Sequence, residues 1–350
     1  MKYLKRFQTN EEYLSYANSG KYILPNVSLI VEEGQIKYND CSKTPLTFNI
    51  ITAGTINWVA SDTALTKTIS YSKDNGSTWT DITSTTAGTS FNVNAGDKVM
   101  FKGNNTAYGD NLYRLNSFGG STAGFEVEGN IMSLIDSTGF ATATTLASAN
   151  TFCSLFSNCT GLTSAENLVL PATTLADSCY SGMFAACESL TTATSTLPAT
   201  TLADYCYENM FMDCFSLTTA PELPATALTS SCYSNMFYRC RSLTTAPELP
   251  ATTLAEGCYM QMFYGCYYLT TVPELPATTL ADYCYSSMFK FCGSLNHIKC
   301  LATNISADGC TDYWVNGVAA SGTFVKNPNM SSWTTGYDGI PTGWTVQDAS

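Results

Sequence analysis

Apolar residues in the second half of the chain recur every four positions in short runs. One run consists of Leu280, Cys284, Met288 and Cys292. This spacing predicts a short helix with a wide apolar stripe, because a strand would expose half of these side chains. A Thr-rich segment of the type SLTTA lies between the runs and ends before a proline, as at Pro221. Proline cannot donate to a sheet ladder, so a short strand that stops there is predicted.

The same pattern repeats with a period of about 26 residues. Twelve of the fifteen cysteines fall into two columns, Cys179, Cys206, Cys232, Cys258, Cys284 and Cys310, and Cys159, Cys187, Cys214, Cys240, Cys266 and Cys292. A Met-Phe pair such as Met262 and Phe263 lies between the two columns. Stacked units of one strand and one helix predict an α/β solenoid, with a parallel sheet on one face and a row of helices on the other.

The two cysteines of one repeat lie eight residues apart. On a helix this is roughly 12 Å, beyond the ~7 Å limit for a disulfide. Packed helices lie ~8 to 10 Å apart, so cysteines of one column also miss disulfide range unless the coils are unusually tight. A zinc site would favour a Cys-x2-Cys pair or nearby histidines, and His297 is the single histidine. We therefore predict reduced, buried cysteines and no metal site.

Several stretches carry a resemblance to a known family. They are the coil LPATTLADYCYSSMFKFCGSL at 275–295, the degenerate first coil LFSNCTGLTSAENLVLP at 155–171, the lead-in GNIMSLI at 129–135 and the closing SGTFVKNPNMSSWTTGYDGIPTGWTV at 321–346. These stretches resemble the BspA-like leucine-rich repeats of gut bacteria and their phages. The resemblance implies a leucine-rich-repeat solenoid over 129–320 and a C-terminal cap over 321–350. It also implies recognition, adhesion or display, with no catalytic residues to carry over.

The segment 41–128 has a different texture, with short β-rich runs such as LTFNIIT, GTINWVA and KTISYS. The KDNG stretch predicts a hairpin turn between two of these runs. An Ig-like β-sandwich is the expected fold. Trp58 and Trp79 are predicted core residues, because large aromatic side chains dominate core burial, although a tryptophan in such a module can also grip sugar.

Residues 1–40 form a third, charge-rich texture, which predicts a small α+β module. Thr9 and Glu12 fit a capping box that starts a helix, and VSLIVEEGQIKYN predicts a hairpin that turns at Glu33 and Gly34. This module resembles the opening module of virion structural proteins from phages that infect gut bacteria. The resemblance implies that it attaches the chain to phage capsid or tail proteins.

Charge excludes some classes of partner. The formal net charge is −12, which repels phosphate backbones and anionic membrane surfaces, so nucleic acid is not an expected partner. The apolar runs are too short for a membrane-spanning helix. Gln8 to Glu12 stand where the apolar stretch of a secretory signal would begin, so no signal peptide is predicted.

Neither acid–base nor nucleophilic chemistry is indicated. The acidic residues of the repeats are spread thinly, as at Glu222, Glu248 and Glu274, whereas general acid–base catalysis needs paired ionisable groups in a pocket. A second acidic column precedes the first cysteine of each repeat, where a carboxylate would cap a helix: Asp177, Asp204, Glu256, Asp282 and Asp308. No phosphate loop, nucleophile elbow or Cys-His pair is present. We predict a non-enzyme without cofactor.

Tyrosines are the candidate ligand-binding residues. A column that follows the first cysteine is predicted to be mostly core: Tyr180, Tyr207, Tyr233, Tyr259 and Tyr285. Others fall between the stripes and are predicted to be partly exposed: Tyr205, Tyr238, Tyr264, Tyr267, Tyr268 and Tyr283. Hydroxyl groups and apolar ring faces suit host-surface or mucosal glycans. A merely soluble polar coat is the competing interpretation.

These features favour a virion-associated, fibre-like phage protein that displays its repeats for host recognition and adhesion. A bacterial cell-surface adhesin of the BspA-like kind is the alternative, and it would need an export signal. An intracellular scaffold is a third hypothesis, because reduced cysteines suit the cytoplasm. The sequence leaves homo-oligomerisation open.

Overall fold

A computed structural model describes residues 27–32, 35–111 and 114–350. The first described elements are strands β1 (Val27–Glu32) and β2 (Gln35–Asp40), which pair antiparallel with Glu32 opposite Gln35. This pairing matches the predicted hairpin. Its turn residues, and the helix predicted from Thr9 and Glu12, lie outside the described residues.

Two sheets follow and share one aromatic core. Their strands are β3 (Leu46–Thr52), β4 (Gly54–Ala60), β5 (Thr68–Ser72), β6 (Thr80–Thr83), β7 (Thr89–Val93), β8 (Lys98–Lys102), β9 (Gly109–Asn111), β10 (Arg114–Ser117), β11 (Gly124–Asn130) and β12 (Leu162–Val169). The strand orders are β12-β11-β3-β8-β5-β6 and β7-β4-β10-β9. Phe118 joins the sheets, because its ring centroid lies 4.8 Å from that of Phe48 on β3 and 4.9 Å from that of Trp58 on β4.

The six-stranded sheet continues into the repeats. Strand β12 belongs to the first repeat and pairs parallel with β11, which places it at one edge of the sheet. The boundary predicted after residue 128 falls inside β11. Trp58 is fully buried, as predicted. The prediction of Trp79 as core is wrong: its ring is half-buried, and the Lys102 ammonium lies 4.0 Å from the ring centroid.

The predicted fold class, an α/β leucine-rich-repeat solenoid after an α+β module and an Ig-like β-sandwich, is wrong. The described residues are almost entirely β-structure and turns, and they contain no α-helix. Their helical segments are single 3-10 turns, at Cys41–Lys43, Thr63–Leu65, Ile131–Leu134 and Phe140–Thr142. Each run predicted as a helix is instead a series of consecutive turns within a coil, the name used here for one repeat.

Hydrogen bonds explain why these runs are not α-helical. The N–H of Met183 donates to the carbonyl of Tyr180, three residues back, whereas the N–H of Phe184 donates to Met210 in the next coil. Alternate amides therefore bond across coils, and they cannot form the four-residue bonds of an α-helix. A left-handed backbone recurs every fourth residue, for example at Ser178 (φ 53°), Gly182 (φ 59°) and Ala186 (φ 58°).

The coils stack so that equivalent side chains lie in register. Tyr180 and Tyr207 stack with ring centroids 5.7 Å apart, and Phe184 and Phe211 at 5.4 Å, in two columns that continue through the coils. The predicted tyrosine core column is buried along its whole length. Among the described residues, most of the buried apolar side chains form one continuous core that runs from the two sheets through the stack.

In the first repeat the predicted strand is present as part of β12. In the middle coils the predicted strands are wrong, because the Thr-rich segments there make only single parallel bridges, such as Thr192 to Thr219 and Thr245 to Thr271. The following proline offers no N–H to extend the ladder. The acidic column does not cap helices: Asp204 accepts the N–H of Ser230 at 3.0 Å, in the next coil. The carboxylate therefore does accept a backbone N–H, but that N–H belongs to the next coil and not to a helix.

A three-stranded parallel sheet ends the chain, with the order β13-β14-β15. Its strands are β13 (His297–Cys300), β14 (Thr323–Lys326) and β15 (Thr345–Asp348). The buried Trp314 donates from Nε1 to the carbonyl of Gly339 at 2.8 Å, which fixes the closing segment over the last coil.

Candidate binding surface

The six candidate tyrosines do not form one cluster. Tyr238 and Tyr264 lie in neighbouring coils and stack at 4.7 Å, and both are half-buried. Tyr267 and Tyr268 are 46% and 65% exposed. The other two, Tyr205 and Tyr283, precede the first cysteine of their coils and are exposed on a different column.

Tyr205 and Tyr283 occupy equivalent left-handed positions, with φ values of 58° and 54°. Coils without a tyrosine at this position separate them, as at Ser231 and Gly257. The Tyr283 hydroxyl donates to Oδ2 of Asp308 at 2.8 Å, and this hydrogen bond raises the pKa of Tyr283. Tyr205 and Tyr283 therefore lie apart from the other four tyrosines, and the hydroxyl of Tyr283 is already hydrogen-bonded to Asp308.

Basic side chains lie beside three of the four remaining tyrosines, Tyr238, Tyr264 and Tyr267, a feature that the sequence analysis did not predict. The Arg239 guanidinium lies 5.1 Å from the Tyr238 ring centroid. The Arg241 guanidinium lies 4.6 Å from the Phe215 ring of the preceding coil and 5.8 Å from the Tyr267 ring of the next. We name Phe215, Tyr238, Arg239, Arg241, Tyr264, Tyr267, Tyr268, Lys290, Phe291 and Tyr313 the basic aromatic corner.

Lys290 lies among three rings of this corner. Its ammonium is 4.9 Å from the Tyr313 centroid, 5.5 Å from that of Phe291 and 5.9 Å from that of Tyr264. Tyr264 also meets Phe291 edge to face at 5.4 Å. The rings thus hold the ammonium by cation–π attraction, which is stronger where the cation is partly desolvated.

Local sequence explains the placement. Tyr238 and Arg239 follow the buried Phe237 at a turn, where the next side chains face outward. The Arg239 Cγ would lie 3.3 Å from a Cβ at Gly265, so the missing side chain of the next coil leaves space for the arginine stem. Arg239 also forms an ion pair with Asp213 at 3.7 Å. Burial raises the pKa of the Tyr238 hydroxyl.

A second concave feature is a proline-lined groove with a volume of about 300 Å³. Its lining residues are Ala220, Pro221, Glu222, Leu223, Pro224, Pro247, Glu248 and Pro250. Prolines offer no backbone donors, so the groove presents apolar rings and two carboxylates. It lacks the convergent donors that usually fix the orientation of a ligand.

The thiols are poorly suited to nucleophilic chemistry. All fifteen cysteines are buried, and the fourteen from Cys153 to Cys310 form no disulfide. Burial raises the pKa of Cys187 and of Cys232 to about 12, and the thiolate is the reactive form. In the part of the chain that the structure describes, no three His, Cys, Asp or Glu side chains are arranged to hold a metal ion.

No described helix is long and apolar enough to cross a membrane. No protein-family model matches the chain, and neither a curated protein nor a solved structure matches it at a significant level.

Proposed function

We propose that this chain is a non-enzymatic, virion-associated, fibre-like protein of a phage, which displays the repeat stack for adhesion to host-surface or mucosal glycans. The single observation that carries the proposal is the basic aromatic corner, where exposed ring faces lie beside cations on consecutive coils. Sugars bind to such surfaces through their apolar C–H faces and their hydroxyl groups.

The rigidity of the stack favours this use. Backbone hydrogen bonds between coils hold the rings of the corner in place. Examples are the bond from the N–H of Asp213 to the carbonyl of Tyr238 and the bond from the N–H of Arg239 to the carbonyl of Tyr264. A surface that is already ordered loses little conformational entropy on binding, which favours affinity for weakly binding sugars.

Attachment is assigned to residues 1–40, with phage capsid or tail proteins as the partners. The resemblance of this segment to opening modules of phage structural proteins supports the assignment. Residues 1–26 lie outside the described part of the chain.

Two measurements test the proposal. The full chain is applied to a glycan array, and purified phage particles are searched for the protein by mass spectrometry. We expect binding to a subset of glycans and recovery in particles. The absence of binding to any glycan would overturn the adhesion proposal. Recovery in the bacterial envelope rather than in particles would favour the BspA-like adhesin instead.

A further inference from the structure

The basic residues of the stack are concentrated at one place. Residues 171–296 contain three basic residues, Arg239, Arg241 and Lys290, and all three belong to the basic aromatic corner. The ten acidic residues of the same segment are Asp177, Glu188, Asp204, Glu208, Asp213, Glu222, Glu248, Glu256, Glu274 and Asp282. The corner is therefore a local cationic surface on an otherwise acidic stack.

Two of the three cations remain available to a ligand. Arg239 is paired with Asp213. Arg241 and Lys290 have no carboxylate partner among the described residues, and each is held by rings instead. A guanidinium between two aromatic rings keeps its edge donors free, and these donors match the two oxygens of a carboxylate.

One exposed ring lies near Arg241, and a second exposed ring follows it in the sequence. The Tyr267 ring lies within cation–π distance of the guanidinium, with its centroid 5.8 Å away. Tyr268 is the most exposed of the large apolar side chains among the described residues, at 65%. A ligand whose anionic group binds the Arg241 guanidinium would thus have its own ring close to the ring of Tyr267.

We propose that the basic aromatic corner binds a carboxylate-bearing sugar residue of a glycan. The Arg241 guanidinium holds the sugar carboxylate, the faces of Tyr267 and Tyr268 take the apolar side of the sugar ring, and Lys290 attracts a further anionic group. This inference rests on the proposed adhesion to glycans and names the class of sugar.

Charge distinguishes this ligand from a nucleic acid. A duplex carries about one charge per 1.7 Å along its axis, and such a polyanion would be repelled by the excess of carboxylates on the stack. The net charge of −12 opposes its approach. A sugar with one carboxylate has little such repulsion, and it still forms the charge-assisted hydrogen bonds of Arg241.

The test uses the full chain and two acidic probes, sialyllactose and trigalacturonate, each paired with its methyl ester. The esters keep the sugar skeleton and remove the charge. Titration calorimetry should show that an acid form binds at least about tenfold more tightly than its ester, as expected for a charge-assisted pair. Arg241→Gln should remove about that factor, and Arg241→Lys, which keeps the charge but not the fork, should remove less.

Lys102→Gln is the matched control, because Lys102 also lies over a ring, that of Trp79, but outside the corner. It should leave the affinity unchanged. Equal binding of acids and esters, or no effect of Arg241→Gln, would overturn the inference and leave adhesion to neutral glycans intact. Tighter binding of a DNA oligonucleotide than of either acid would also overturn it. Binding to no glycan on the array would instead overturn the proposed function.

Discussion

The Cys240 thiol donates a hydrogen bond to the carbonyl oxygen of Phe211 in the preceding coil, at 3.1 Å. The same carbonyl accepts the N–H of Cys214 at 3.1 Å, so the thiol uses its second lone pair. Equivalent bonds run from Cys187 to Phe156, Cys214 to Phe184, Cys266 to Phe237 and Cys292 to Phe263. A cysteine recurs here because it is small and apolar and still carries a donor.

Cys240→Ala should destabilise the protein by about 1 to 2 kcal/mol, because it removes this bond and leaves a small cavity. Cys240→Ser keeps a donor of similar reach and should cost less. Denaturant unfolding of the full chain measures both variants. A serine variant less stable than the alanine variant would show that packing alone, and not the hydrogen bond, selects cysteine.

Phe263→Ala should cost on the order of 3 to 5 kcal/mol, since a buried ring leaves a cavity that stacked neighbours cannot fill. Phe263 is fully buried between Phe237 at 5.6 Å and Phe289 at 5.9 Å. Phe291→Ala is the control, because that ring is 41% exposed, and it should cost less than about 1 kcal/mol. Comparable losses of unfolding free energy in both variants would contradict the assignment of Phe263 to the buried core and of Phe291 to the surface.

Gly265→Ala should destabilise the stack by about 1 to 2 kcal/mol, because a side chain is disfavoured at a left-handed residue. Gly265 has a φ of 70°, and a Cβ there would approach Arg239 Cγ at 3.3 Å. The control is Gly293→Ala, where a Cβ meets nothing within 4 Å. Thermal unfolding should show a lower midpoint for the first variant only. An unchanged midpoint in Gly265→Ala would contradict the left-handed turn.

The repeats and the buried columns could be predicted from the sequence, but the backbone conformation of each repeat could not. Leu280, Cys284, Met288 and Cys292 step strictly by four, and an α-helix would rotate successive members of this set by about 40°. A series of four-residue turns keeps them in line. The left-handed positions include Gly257 and Gly265 in one coil but Tyr283 and Phe291 in the next, so residue type does not mark them consistently.

The candidate site was predictable only in part. Exposure of Tyr267 and Tyr268 follows from their positions between the apolar stripes. Contact between Tyr238 and Tyr264 depends on exact stacking of one coil on the next, which the turns determine. The contacts of Arg241 could not be predicted, because its partners, Phe215 and Tyr267, lie one repeat away on either side. Tyr205 is also an exposed tyrosine of the repeats, yet it lies outside the basic aromatic corner, so exposure and residue type alone do not identify the site.

Native protein should react with a thiol reagent such as dithionitrobenzoate very slowly at neutral pH, because every cysteine is buried. After denaturation without reductant, the fourteen thiols from Cys153 to Cys310 should all react. Spectrophotometric titration counts them in both states. Recovery of only a few thiols after denaturation would indicate disulfides and contradict the packing described here.

Stability should fall steeply in alkaline solution. Burial raises the pKa of Cys187, Cys232 and Cys284 from an ordinary value of 9.0 to about 12. Above the ordinary value the folded state binds more protons than the unfolded state, so the contribution of each thiol is fully present below it and is lost as the pH rises toward the folded pKa. Each such thiol costs about 1.4 kcal/mol of unfolding free energy per pH unit in this window.

The thermal midpoint should therefore vary little between about pH 6 and pH 8 and drop sharply above about pH 9. Cys187→Ala gives the matched test, because it removes one titrating thiol and should reduce the slope of unfolding free energy against pH by about 1.4 kcal/mol per unit. The comparison is made within each variant across pH, so the constant cost of the cavity cancels. A midpoint that stays level to about pH 11 in the unmodified chain would contradict the raised pKa of the thiols and so their burial, because burial disfavours the thiolate.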